Sequence, residues 1–155
     1  MKNDSSRLLF HVKIVLSLIG LAIAFYLVLS EPGPGQKIAF VCPGQSSSSS
    51  LINCSAVLTS RYSRIIGVPL SVWAFSWFAV LFALVLLQRK NAMLGMLSAC
   101  FSITGIFAVL YSFLAMFSIG HICVYCSTID AILVVIFAIG ILELRALLGA
   151  ILHVG

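Results

Sequence analysis

The chain is 155 residues long, 62% hydrophobic and only 8% charged, with a mean hydropathy of +1.20, whereas a soluble domain is roughly half apolar and a quarter charged. That balance excludes a soluble enzyme and leaves room for about four membrane spans of roughly 20 residues, with none for a second, soluble domain. The net charge of +5, nine Lys and Arg against four Asp and Glu, is too small to point to nucleic acid.

Ile14 to Ser30 is the first apolar stretch, preceded by Arg7 and Lys13. Basic residues before an apolar run also fit a cleaved signal peptide, but no clear small-x-small pair stands before Glu31, and the run is read as a span. From 31 to 66 the chain turns polar. Glu31-Pro32-Gly33-Pro34-Gly35 ends the first helix, and Ser46 to Ser50 reads as a flexible linker that lets its neighbours move. Asn53 then suits a helix N-cap, and Val57, Leu58, Ile65 and Ile66 interleave with Ser60, Arg61 and Arg64. This predicts a short amphipathic helix on the outer membrane surface, an ordinary loop with some apolar residues being the competing reading. Gly67 to Leu87, Ala92 to Phe117 and Ile122 to Leu142 are three further spans, with a short hairpin from Ser118 to His121 between the last two. The tail from Glu143 carries Arg145 and His153, is too short to span, and reads as an interfacial segment or a continuation of the fourth helix. The predicted fold class is an all-α membrane protein. Residues 1–155 form one integral-membrane domain, a four-transmembrane-helix bundle whose long extracytoplasmic loop (residues 31–66) contains a short amphipathic helix.

Lys2, Arg7, Lys13, Arg89, Lys90 and Arg145 fall on one side of this map, and Lys37, Arg61 and Arg64 on the other. Short cytoplasmic segments are enriched in Lys and Arg, so both termini are expected in the cytoplasm. Arg61 and Arg64 are then set to meet lipid headgroups or a partner surface.

Cys42 and Cys54 lie in the outer loop, Cys123 and Cys126 just inside the outer end of the last span, and Cys100 within the third. Four of the five thus share the side where disulfides form and persist, on a map drawn from Lys and Arg alone. Cys123-Val124-Tyr125-Cys126 places two thiols on one face of a helix N-terminus, roughly 5–6 Å apart, in a field that favours the reactive thiolate. His121 is either a charge or proton relay beside them or an interfacial histidine with no role. Cys42 and Cys54 bracket eleven residues that include the serine run. A clip across so flexible a loop ties down little, which favours a mobile pair that exchanges disulfides with the fixed one. The alternatives are a structural clip over the bundle and a zinc site of four cysteines. An oxidising compartment and a membrane-embedded pair both disfavour the zinc site, so no metal is expected. Cys100, between Ala99 and Phe101, reads as a small buried hydrophobe.

These residues carry a resemblance. Cys42, then Cys54-Ser55, then Ser60-Arg61-Tyr62-Ser63-Arg64 leading to Gly67-Val68-Pro69, and finally Cys123-Val124-Tyr125-Cys126 resemble the vitamin K epoxide reductase family over about residues 10–142. The resemblance implies a four-helix bundle around a quinone. Electrons would pass from a partner's thiols to Cys42, from Cys54 to Cys123, and from Cys126 to the quinone, while Ser60 matches a serine near the quinone or at the contact of loop and bundle. Two departures stand out. The animal enzymes carry a long segment with a quinone-binding asparagine after the glycine matching Gly67, whereas here Val68-Pro69-Leu70 enters the second span directly; and Asp130 stands where a quinone-contacting tyrosine is found. Both resemble microbial homologues that reduce a respiratory quinone, which implies a bacterial inner membrane. The spacing from Cys42 to Cys54 is longer than in the family. Many microbial members carry a fused thioredoxin-like domain after a fifth helix. This chain has none, so a separate thioredoxin-fold partner is expected.

Asp130 is the one acid inside a predicted span, one turn below Cys126. It is either a proton relay to the quinone or a carboxyl kept neutral near the interface. Trp73 and Trp77, with Tyr111 and Phe113 at comparable depth, are candidates for an aromatic quinone pocket, although an interfacial belt or core packing explains them as well. The expected function is a membrane thiol oxidase that regenerates a secreted disulfide-forming protein at the expense of ubiquinone, menaquinone or vitamin K. The rivals are vitamin K epoxide or quinone reduction and a non-catalytic bundle stapled by disulfides. In the four-helix disulfide oxidases of bacteria the Cys-x-x-Cys sits in the first outer loop, unlike here.

Overall fold

A computed structural model describes residues 2–30, 42, 51–89 and 91–152. The segment 31–35, Lys37, the serine run 46–50, Lys90 and His153 lie outside the described residues. The helices are α1 (Lys2–Ser30), α2 (Cys54–Leu58), α3 (Leu70–Leu87), α4 (Ala92–Ile119) and α5 (Val124–Leu152). All but α2 are long and apolar enough to cross a membrane. Lipid offers no partners to backbone N–H and C=O groups, so an apolar run of this length satisfies them internally as a helix.

The bundle packs α1 on α3 and α4 on α5, and the two pairs meet along α1–α5 and α3–α4. Its core is Ala24 and Leu27 of α1, Phe78, Leu81 and Val85 of α3, and Ile129, Ile132, Leu133 and Ile136 of α5. Two glycines let helices approach closely. The Phe78 ring fills the space a side chain at Gly20 would take, and a Cβ at Gly140 would lie 2.8 Å from the Ser102 Cβ and 3.1 Å from the Ala99 carbonyl oxygen.

Two features differ from the sequence reading, and a third decides between its two readings of the tail. α1 does not wait for Ile14: Lys13 is fully buried, its Nζ 2.7 Å from Glu143 Oε2 and 3.0 Å from Ser98 Oγ. A paired ammonium does not end a span as a lone one would. α5 runs on to Leu152, so the tail continues the fourth spanning helix and Glu143 joins Asp130 as an acid within it. Cys100 is exposed on the outer surface of α4 rather than buried. Ser98 and Ser102 face inward, and a residue two positions from each lies on the opposite side of the helix.

The short helix of the loop is α2, capped by Asn53, whose Oδ1 accepts from the Ala56 amide at 3.0 Å and the Ser55 hydroxyl at 2.8 Å. It stops at Leu58, short of the apolar pattern that continues to Ile66. The Thr59, Ser60 and Ser63 hydroxyls donate to the carbonyls of Ser55, Val57 and Ser60, local bonds that compete with further helix. A 3₁₀ turn at Arg61–Ser63 and a hairpin of β1 (Arg64–Ile65) and β2 (Val68–Pro69) follow. Ile66 and Gly67 turn that hairpin at φ of 54° and 78°, which glycine adopts freely and a β-branched residue only under strain.

Candidate active site

Two backbone hydrogen bonds stitch the loop to the bundle where the cysteines are. The Asn53 amide donates to the Ile122 carbonyl at 3.0 Å, and the Ile122 amide donates to the Leu51 carbonyl at 2.8 Å, a parallel bridge between Ile52 and Ile122. The bridge sets the start of α2 beside the start of α5. Cys54 is the first residue of α2 and Cys123 immediately precedes α5, so both reach the same spot. Cys54, Val57 and Cys123 are buried there as one cluster, with Cys42, Met116, Ile119, Tyr125 and Cys126 packed against it. Cys42 and Cys54 are joined as a disulfide with a Cα–Cα distance of 5.9 Å. Cys123 and Cys126 are free thiols.

Cys123 occupies the N-cap position of α5. Its carbonyl accepts from the Ser127 amide at 2.9 Å and its Sγ accepts from the Cys126 amide at 3.4 Å, the bond a serine hydroxyl makes at other helix starts. The hydrogen bond from the Cys126 thiol, aided by the backbone amides of Cys126 and Tyr125, holds the Cys123 thiol below its ordinary pKa although burial pushes the other way.

Cys126, one turn on, opens onto a cavity of about 630 Å³ between α3, α4 and α5, roofed by residues 57–66. Ser60, Trp73, Trp77, Tyr111, Cys126 and Asp130 all line it. Ser60 Oγ donates to the Val57 carbonyl at 2.8 Å, bracing the roof. Tyr111 Oη donates to the Tyr62 carbonyl at 2.8 Å, tying α4 to that roof. The Trp77 ring stacks on Phe101 at 5.3 Å and its Nε1 donates to Thr104 Oγ1 at 3.1 Å, so it offers the cavity an apolar wall and no spare donor. Trp73 is half exposed at the cavity edge. Asp130 accepts from the Ser112 hydroxyl at 2.8 Å.

Phe113 does not take part: it is 65% exposed, two residues from Tyr111 and on the other side of α4. His121 is half-buried in the turn before Ile122 and does not line the cavity. Ser112, Tyr62 and Phe101 are cavity residues that the sequence reading missed. Only Ser112 left a signal, as a hydroxyl in an apolar span close to the level of Asp130. Among the described residues no group of three or more His, Cys, Asp or Glu is arranged to hold a metal ion.

A comparison with curated proteins finds no match. The profile of the vitamin K epoxide reductase family matches residues 11–141, a stretch that takes in both cysteine pairs, the bridge between them and the whole cavity. Four membrane-length helices carrying that match make this a multi-pass membrane protein, and the chain belongs to the vitamin K epoxide reductase family of membrane oxidoreductases.

Proposed function

We propose that the protein is a quinone-dependent thiol–disulfide oxidoreductase that oxidises a separate thioredoxin-fold protein outside the membrane. Electrons pass through Cys42–Cys54 and then Cys123–Cys126 to a quinone in the cavity. The observation that carries this reading is the unbroken contact from the loop disulfide through Cys123 and Cys126 to the cavity wall. The cavity suits such a ligand: its volume of about 630 Å³ falls within the usual range for small-molecule sites. Its walls are mainly aliphatic and aromatic, with a few polar groups at Ser60, Tyr111, Ser112 and Asp130 for the carbonyl ends of a flat ring. Both termini are assigned to the cytoplasm on the distribution of Lys and Arg.

The packing of the two pairs supports the following exchange steps. A partner thiolate attacks Cys42 and Cys54 leaves as thiolate; the partner's second thiol resolves the mixed disulfide, so the partner is oxidised and the loop pair reduced. Cys54 then attacks Cys123 of the Cys123–Cys126 disulfide and Cys126 leaves beside the cavity. Cys42 attacks Cys54 and expels Cys123 as thiolate. The loop disulfide is restored and the helix pair is left as two thiols, the arrangement described above. A bound quinone supplies the acceptor of two electrons and two protons. Asp130, steadied by Ser112 and one turn from Cys126, holds a proton at its carboxyl for delivery into the cavity, and the Trp77–Phe101 stack keeps water from that wall.

The test uses purified protein in detergent, a reduced thioredoxin-fold substrate and a ubiquinone or menaquinone analogue, with quinone absorbance followed over time. Cys126→Ser is expected to abolish quinone reduction. Cys42→Ser is expected to leave the Cys-x-x-Cys competent but to stop turnover with the partner. Full activity in either variant overturns the assigned order. Folded wild-type protein that leaves both quinones untouched but reduces vitamin K epoxide moves the assignment to that acceptor.

A further inference from the structure

A second cavity, of about 400 Å³, lies at the end of the bundle opposite the two cysteine pairs, between α1, the α3–α4 turn and α5. Arg7, Phe10, Gln88, Arg89, Leu142 and Leu147 are among its walls. We propose that it binds an anionic phospholipid, with Arg7 and Arg89 on the phosphodiester and an acyl chain along the apolar wall.

The depth is right for a headgroup. Arg7 opens the apolar stretch Arg7–Ser30 of α1, and Arg89 stands two residues past Leu87, the last residue of α3, so both guanidinium groups mark the boundary between apolar span and polar edge. Among the residues whose side chains are described, neither forms an ion pair with an acid, and Glu143, which also lines the cavity, is held by Lys13 at 2.7 Å. The Arg89 guanidinium lies over the Phe10 ring at 4.4 Å, which fixes its plane and leaves its N–H edge for an anion. Free phosphate would meet the arginines but leave the wall of Phe10, Leu142 and Leu147 uncovered, whereas a lipid uses both. A zwitterionic headgroup would bring a cation beside two arginines with Glu143, the carboxylate in the cavity wall, already engaged, so the net-negative lipid is the better match.

The test is native mass spectrometry of the full chain in detergent, alongside thermal melting, with added phosphatidylglycerol, phosphatidylcholine or inorganic phosphate. Phosphatidylglycerol is expected to stay bound and raise the melting temperature, while the other two do neither. Arg7→Gln combined with Arg89→Gln is expected to weaken phosphatidylglycerol binding about thirtyfold, roughly fivefold to sixfold for each cationic contact. Arg145→Gln, which removes an exposed charge that does not line the cavity, should change it by less than about threefold. If the double variant does not fold, the exposed Arg7→Gln alone decides. Equal retention of phosphatidylcholine, the same melting shift from inorganic phosphate, or unchanged phosphatidylglycerol binding in the arginine variants overturns the proposal. None of these readouts depends on quinone reduction.

Discussion

Cys123 combines two jobs that pull on the same atom. Its sulfur caps α5 and is also the point at which the loop disulfide meets the helix pair. The two can be separated. Cys123→Ser keeps an oxygen acceptor for the Cys126 amide, so the melting temperature in detergent should stay within a few degrees of wild type while turnover with a partner is lost. Cys123→Val removes the cap as well and should cost about 1 kcal/mol of stability. Asp130→Asn retains a hydrogen-bonding partner for Ser112 but cannot release a carboxyl proton. In stopped-flow assays of quinone reduction it should slow the rate about a hundredfold with little change in KM. An unchanged rate would leave Asp130 as a structural partner of Ser112 only. Asp130 stood out in the sequence because charge is rare in an apolar span, and the cysteines because two pairs fall on one side of the membrane map. Ser112 and Tyr62 were not, because nothing in the chain order links them to α5 or to Tyr111.

Between elements, the short bridge of Ile52 with Ile122 does most of the alignment. Ile122→Pro deletes the donor to Leu51 and should loosen the start of α2 from the start of α5. Turnover with a protein partner is then expected to fall several-fold, while a small dithiol that reaches Cys123–Cys126 directly should still support quinone reduction at near the normal rate. On the other side of the bundle, α4 and α5 depend on close approach at Gly140. Gly140→Ala places a methyl group against Ser102 and the Ala99 carbonyl and should destabilise the fold by about 1–3 kcal/mol in a detergent melt. The loop illustrates how far local pattern reaches. Asn53 was legible as a cap, but the end of α2 at Leu58 was not. Serine and threonine hydroxyls took over the carbonyls, and the turn at Ile66–Gly67 sent Ile65 back over the cavity.

For the molecule as a whole, the Lys13–Glu143 pair with Ser98 joins α1, α4 and α5 at a single point. Removing one partner of a buried ion pair strands the other, so Lys13→Met should cost about 3–5 kcal/mol, whereas Lys13→Met with Glu143→Leu should recover most of it. Unfolding in detergent with all three variants checks this. A double variant as unstable as the single one would mean that Lys13 matters through Ser98 or packing instead.

The number of spans, the span or loop that carries each thiol and the place of the Cys-x-x-Cys at a helix start were determined by the sequence alone. A chain in lipid has one way to satisfy the backbone of an apolar run, and helix ends can be read from glycine, proline and charge. Which face of each span looks inward was decided only by the tertiary structure. A spanning helix is apolar on its lipid side as well as its core side, so the 3.6-residue periodicity that orients a helix in water carries little phase here. Hence Cys100 and Phe113 face outward, Lys13 is buried, and residues as far apart in the chain as Ser60, Trp77 and Tyr111 line one cavity beside Cys126.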